Sequence, residues 1–213
     1  MSDTENYYTS VRRDIAALLP PSCERVFEVG CGTGNTLLWL KENHGCRWAA
    51  GMELFAAAAA EAETKVDKLF TGNIERDFPD IEPSSLDLVL CLDVLEHLVD
   101  PWSITTRLRE LLRPGGALII SVPNIRNRGV LFPLLFKGKW EYADAGILDR
   151  THLRFFVRSS AIAMLEQAGL HVDMVRATGL ERKTEKSRRL IAMLPESIRS
   201  FLVLQYLIRG VRE

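Results

Sequence analysis

The residues best suited to hold a ligand are Glu28-Val29-Gly30-Cys31-Gly32-Thr33-Gly34, which close a short apolar run. Glycines at 30, 32 and 34 admit positive φ and let a ligand come close to the backbone. The third glycine follows the second by two residues, whereas the nicotinamide fingerprint G-x-G-x-x-G needs three. The G-x-G-x-G corner is wider and suits a pyrophosphate poorly, and Glu28 would repel one. It suits a nucleoside carrying an amino-acid tail, whose ammonium would find a carboxylate in Glu28, directly or through water. Glu53 stands 19 residues after Gly34, at the end of the next predicted strand. That is where an acidic residue chelates both ribose hydroxyls. Asn73, after Gly72, can offer its side-chain amide to an adenine edge or serve only as a turn residue.

Beside that corner, Leu92 and Asp93 end the run Leu86 to Leu92, so their backbone should line the crevice beyond the strand ends under the nucleoside's amino-acid tail. A second group can handle an acceptor. His97 reads as a pocket wall or base, or as a helix-end histidine making one hydrogen bond. Gly146 to Phe156 brings an acid, two arginines, a histidine and two phenylalanines together just before a predicted helix. Asp149 can orient His152, and His152 can take a proton from an acceptor hydroxyl. The competing reading is a lid anchor, with Arg150 and Arg154 paired to Asp149 or Glu141. Cys23, Cys31, Cys46 and Cys91 show no paired metal-ligand spacing, so no metal is expected and the thiols read as free, in a reducing compartment.

These residues need a frame. Arg25 to Val29 reads as a strand, followed by a helix capped by Asn35 over Thr36 to Glu42. Arg47 to Met52 predicts a second strand, Ala56 to Lys65 a helix and Lys68 to Thr71 a third strand. Leu86 to Leu92 predicts a central strand covered on both faces. Pro101 opens a helix to about Leu112, which Arg113-Pro114-Gly115-Gly116 ends, and Ala117 to Val122 is the fifth strand. The alternation implies an α/β fold, a doubly wound, mostly parallel sheet. Pro123 to Phe156 has no clean period and reads as an insertion covering the site. Ser159 then caps a helix to Ala168, His171 to Arg176 predicts a strand, and Phe201 to Ile208 a last strand.

The 213 residues fit one domain, with 1–20 as leader and 123–156 as insertion. A net charge of -1 argues against a general nucleic-acid binder. A polar Met1 to Arg13 and the lack of any 18-residue apolar run predict neither signal peptide nor membrane span, hence a cytoplasmic protein. In the insertion, Arg126, Arg128, Lys137 and Lys139 alternate with Phe132, Phe136, Trp140 and Tyr142. They read as a seat for a phosphorylated or nucleotide-linked sugar, as a peripheral membrane contact, or as solvated cations. Arg182, Lys183, Lys186, Arg188 and Arg189, balanced by Glu181 and Glu185, read as an exposed helix face.

Glu28 to Gly34, Glu53, Gly72-Asn73-Ile74, Leu86 to His97 and Leu111 to Gly116, in that order, resemble class I S-adenosylmethionine-dependent methyltransferases, in particular the ubiquinone-biosynthesis-like branch. The resemblance spans about residues 7 to 178. It implies a seven-stranded sheet with an antiparallel last strand and S-adenosyl-L-methionine held by Glu28, Gly30, Cys31, Gly32, Gly34, Glu53, Leu54, Asn73, Ile74, Leu92 and Asp93. It also implies that Tyr7, Tyr8 and Arg12 fold over the donor, with Arg12 at its carboxylate; a frayed leader is the plainer reading. The family usually has aspartate where Asn73 stands. Gly146 to Phe156 resembles a segment of methyltransferases that act in glycan assembly, which implies O-methylation of a small-molecule or glycan acceptor. Two alternatives stay open: a nicotinamide-dependent oxidoreductase, and a non-catalytic donor-binding scaffold subunit.

Overall fold

The computed structural model describes residues 8–179, 184, 187, 190, 191 and 193–213. Tyr7 and, apart from Thr184 and Ser187, the basic segment 181–189 lie outside the described residues.

The alternation builds a seven-stranded sheet. Its strands are β1 (Arg25–Val29), β2 (Trp48–Glu53), β3 (Lys68–Thr71), β4 (Leu86–Leu92), β5 (Leu112–Pro123), β6 (Leu170–Thr178) and β7 (Gln205–Arg212). The helices that position the site are α1 (Asn35–Asn43), α2 (Ala56–Ala62), α3 (Pro101–Leu111), α4 (Arg128–Lys137) and α5 (Arg158–Gln167). The strand order is β3-β2-β1-β4-β5-β7-β6, with β1 to β5 parallel and β7 antiparallel to both neighbours.

All seven residues of β4 are buried, because both faces of the sheet are covered. Val89 and Cys91 pack on one face with Leu108 of α3 and Leu165 of α5. Leu88 and Leu90 pack on the other with Leu37 and Leu40 of α1 and with Ile15 and Leu18. The one charge inside β4, Asp87, is neutralised by Arg113 at 2.6 Å and accepts the Arg25 N–H at 2.7 Å. Chain order reverses between β1 and β4, which opens the crevice beyond their carboxyl ends where such sheets bind ligands. Gly30, Glu53, Gly72 and Asp93 all follow or end strands at that edge.

Five elements differ from expectation. Ser159 lies inside α5, whose N-cap is Val157, with the Val157 N–H donating to Ser160 Oγ at 3.0 Å. Gly34, in the left-handed region at φ 75°, is the N-cap of α1 in place of Asn35. Asn35 is instead gripped from both sides, its Nδ2 donating to Thr9 O (2.8 Å) and its Oδ1 accepting from Lys65 (2.8 Å). β5 begins at Leu112: the pairing runs Leu86 to Leu112 and resumes at Leu88 to Ala117, so Arg113 to Gly116 form a bulge within the strand rather than a break before it. The last strand starts at Gln205, since Ser200–Leu202 is a 3-10 turn. Its polar end stays in the sheet because Arg209 pairs with Asp173 at 2.5 Å and Arg212 donates to the carbonyls of Glu110 and Leu112 at the end of α3. Finally, the aperiodic insertion contains α4, capped by Asn127 accepting the Gly129 N–H and carrying Pro133 in its interior.

Candidate functional site

The glycine corner is hung on β2 and sealed by the leader. Gly30 and Cys31 donate to Met52 O at 2.8 and 3.1 Å, and Gly34 donates to Cys31 O at 2.9 Å. Gly32 donates to Glu53 Oε2 at 2.8 Å, and Thr33 donates to Tyr8 O at 3.0 Å. Every N–H from 30 to 34 therefore has a protein acceptor, and none is left over to cradle a pyrophosphate. A Cβ at Gly32, where φ is +54°, would lie 2.6 Å from Tyr8 O; one at Gly30 would lie 2.6 Å from Val94 Cγ2. The glycines let the chain segments close on one another at the crevice.

Glu53 is buried and turned into the corner: its other oxygen accepts from Leu54 and Phe55 at 2.9 Å each. Leu54 and Phe55 follow it, exposed, and Phe55 stands edge-on to Tyr8 with ring centroids 5.4 Å apart. Asn73 Oδ1 accepts the Glu75 N–H at 2.8 Å, so its side chain heads a turn. Ile74 is buried in the core. Leu92 is buried, and Asp93 takes φ +56°, a strained conformation for a residue with a side chain.

The electrostatics of the corner call for a cation. Glu28 is 3 % exposed, and its Oε2 has no hydrogen-bond partner among the described residues. Burial pushes its carboxyl up to about 8; Arg12 opposes that shift and Glu53 adds to it. Arg12 itself is raised: burial disfavours its charge, but Asp93 and Asp14 outweigh it. Its guanidinium contacts Asp93 at 2.5 Å and Asp14 at 3.0 Å, and its backbone N–H reaches Thr36 Oγ1 at 3.2 Å. Residues 8 to 12 are thus tied over the corner by backbone bonds and one half-buried ion pair.

The acceptor side forms around a short turn, Leu95–His97. The Glu96 carbonyl accepts from Leu153 (2.8 Å) and Arg154 (3.0 Å), which pulls the end of the insertion onto the turn. The His97 and His152 rings meet edge-to-face at 4.7 Å. The His152 N–H donates to the Asp149 carbonyl at 3.1 Å, but among the described residues the Asp149 carboxylate makes no hydrogen bond to the His152 ring. That carboxylate accepts from Thr151 Oγ1 at 2.6 Å, and the hydroxyl lies 3.0 Å from His97 Nδ1. His152 Nδ1 instead faces Ile147 O at 3.0 Å. Arg150 pairs with Asp144 and Arg154 donates to Val99 O, so neither arginine is the anchor for Asp149 or Glu141. Burial lowers the His97 pKa, and a charge on His152 would lower it further. The Glu96 carboxyl, 1 % exposed, is raised well above the usual range by burial and then by Asp93. Glu96, His97 and His152 each place one potential ligand atom within 4.8 Å of the others, an arrangement able to hold a metal ion.

Several participants carried no local signal. Ser121, on β5, accepts the Asp93 N–H through its hydroxyl at 2.8 Å. Gln205, 112 residues from Asp93, donates to its other carboxylate oxygen. Only sheet pairing brings these together. Glu96 and Thr151 sit beside residues singled out above, but nothing in their spacing shows that the two segments meet.

A corner with a wide glycine turn, a strand-end carboxylate at ribose distance in sequence and an unpaired buried Glu28 oxygen fits a cationic nucleoside amino acid. Residues 4–175 match a family model described as a methyltransferase domain. The chain is 30% identical over 184 residues to a ubiquinone biosynthesis O-methyltransferase of Xylella fastidiosa, covering 84% of this chain and 74% of that protein. It is 27% identical over 157 residues to the protein of the same name from Neisseria meningitidis, covering 70% of this chain and 64% of the relative's length. A solved S-adenosylmethionine-dependent methyltransferase from Mesorhizobium loti shares the fold, with TM-score 0.66, 17% identity and coverage of 93% and 96% of the two chains. The chain belongs to the class I S-adenosylmethionine-dependent methyltransferases, in their ubiquinone-biosynthesis-like branch. That assignment sets the nicotinamide reading aside.

Proposed function

We propose that the protein methylates a hydroxyl oxygen of a small acceptor bound between the Asp93 end of β4 and the 146–154 segment. The observation that carries this reading is the pairing of His97 and His152 at 4.7 Å beside the donor edge of the sheet. The bound donor supplies an electrophilic methyl on sulfur. On the donor side, Glu53 holds the ribose, Glu28 meets the ammonium, and the leader with Tyr8 and Arg12 covers the corner. On the acceptor side, His152 donates through Nδ1 to Ile147 O, which leaves Nε2 as an acceptor for a hydroxyl proton. With the donor bound, its sulfur would keep the C–S electron pair as the methyl is given up, and an imidazole of this chain would take the acceptor's hydroxyl proton. Positioning the two reactants contributes about 7–11 kcal/mol in such reactions, and a general base about 10²–10⁴-fold. The relatives' name supports oxygen as the methylated atom; nothing beyond the 146–156 segment supports a glycan.

The test is transfer of labelled methyl to a panel of phenols, catechols and sugars, with the product located by NMR. An O-methyl product whose formation drops in His152→Ala, with donor binding kept, is expected. N- or C-methylation, or equal turnover in the variant, would overturn the proposal.

A further inference from the structure

We propose that Lys65 and Asn35 are positioning residues for donor binding, which together clasp the leader over the glycine corner. The proposal rests on the reading above that the leader covers the donor, and it makes no use of the acceptor side.

Lys65 lies just past the end of α2, where its N–H donates to Ala62 O at 2.9 Å. Gly34 lets that end of the helix come close to the corner, since a Cβ there would already lie 3.3 Å from Ala62. From this position the Lys65 ammonium donates to Thr33 O at 2.7 Å and to Asn35 Oδ1 at 2.8 Å. Among the described residues it has no carboxylate partner, so its charge is directed at two oxygens of the corner. An ammonium has donors and no acceptor, so the Asn35 atom that faces it must be the carbonyl oxygen. The amide nitrogen is thereby turned the other way, where it donates to Thr9 O at 2.8 Å. Lys65 selects the one orientation of the Asn35 amide that can hold the leader.

Thr33, the other residue that Lys65 holds, grips the leader as well. Its N–H and its hydroxyl both donate to Tyr8 O, each at 3.0 Å. The two residues under Lys65 therefore send three hydrogen bonds to the carbonyls of Tyr8 and Thr9. Backbone carbonyls are the acceptors, so these bonds set the path of the leader rather than any one side chain. Tyr8 O ends up over the corner, 2.6 Å from where a Cβ on Gly32 would lie. The start of α2 joins in through its N-cap, Phe55, whose ring meets that of Tyr8 at 5.4 Å. That helix follows Glu53, so one rigid element couples the carboxylate assigned to the ribose with closure of the leader. A leader held in this way slows the escape of a bound donor, and a loosened one lowers affinity mainly through faster release.

The decisive variant is Asn35→Asp in the full chain. It keeps the contact with Lys65 but turns an acceptor oxygen toward Thr9 O, which can only accept. A carboxylate in the first turn of α1 also complements the helix N-terminus, so the melting temperature should hold or rise. The leader should nevertheless open: trypsin cleavage after Arg12 and Arg13 in the free chain should quicken about tenfold, because cleavage follows the open population. The dissociation constant for S-adenosylhomocysteine, read by calorimetry, should rise about tenfold as well. Lys65→Met should move both readouts the same way, and Lys65→Arg, which still offers donors to both oxygens, should restore them. A purely structural role for Asn35 predicts the opposite for Asn35→Asp, a stable chain with unchanged cleavage and affinity, and that result would overturn the clasp. Faster cleavage with unaltered affinity would overturn its role in donor binding. Where Asn35→Asp fails to fold, equal cleavage in Lys65→Met and Lys65→Arg would overturn the proposal instead. Failure of the donor reading looks different: the unaltered chain itself would not bind S-adenosylhomocysteine.

Discussion

The donor edge of the sheet and the insertion that faces it are built on opposite principles. At the donor edge, every amide from Gly30 to Gly34 is bonded to protein, Glu28 and Glu53 are buried, and the strands beneath are buried on both faces. In the insertion, α4 buries only Val130, and Phe136 is 77 % exposed. The insertion is held instead at its ends. Asn124 and Asn127 donate to carbonyls of Ser200 and Val203, and Leu153 and Arg154 donate to Glu96 O. A shared donor needs a rigid cradle whose backbone amides are already satisfied, whereas acceptor recognition can be changed in a loosely packed segment without disturbing the sheet.

That contrast can be broken or sharpened. The largest effect should come from the one place where the insertion is proposed to do chemistry: His152→Ala is expected to lower turnover about 10²–10⁴-fold and leave donor affinity intact, measured by steady-state kinetics and calorimetry. Glu53→Ala removes the acceptor of three backbone N–H groups and the proposed ribose contact, and should weaken donor binding about 10²–10³-fold. Deleting residues 1–13 strips Tyr8 O from Thr33 and Arg12 from Asp93; donor affinity should fall about tenfold, and unchanged affinity would show that the leader is no lid.

Glu28 gives a pH signature. Its carboxyl keeps a proton up to about 8 in the folded protein against an ordinary value of 4.5. The native state therefore binds the extra proton between those values, and stability falls as pH rises through that window. Glu28→Gln should flatten the slope in chemical denaturation between pH 5 and 8 (a range set by the two values above). Binding of a cationic donor should ionise Glu28 and release a proton near neutrality, seen as buffer-dependent binding heat. The smallest effect is expected on α4: Leu135→Ser with Phe136→Ser should change stability by only about 0.5 kcal/mol, because both side chains are already exposed.

The parts that were legible in the sequence are those where local chemistry and chain order carry the information. Strands β1 to β4 and the corner from Glu28 to Gly34 lie close to where periodicity, glycine spacing and the Glu53 offset put them. Polar strand ends were harder: Arg209 and Arg212 look like a tail until Asp173 and the last carbonyls of α3 are seen beside them. The bulge at Arg113 to Gly116 reads as a terminator because Pro-Gly-Gly favours turns, but the pairing simply shifts register and continues. The acceptor side was least legible. His97 and His152 meet because a backbone carbonyl, Glu96 O, captures two amides more than 50 residues away, and backbone groups leave no trace in a residue pattern. The same blindness gave Asp149 to His152, when its partner is Thr151.

The central claim is tested most directly by titrating the purified chain with S-adenosylhomocysteine and, separately, with a nicotinamide dinucleotide. One molecule of the first should bind per chain, with proton release at neutral pH, and the second should give no heat. A silent first titration, or binding that survives Glu53→Ala undiminished, would contradict the account.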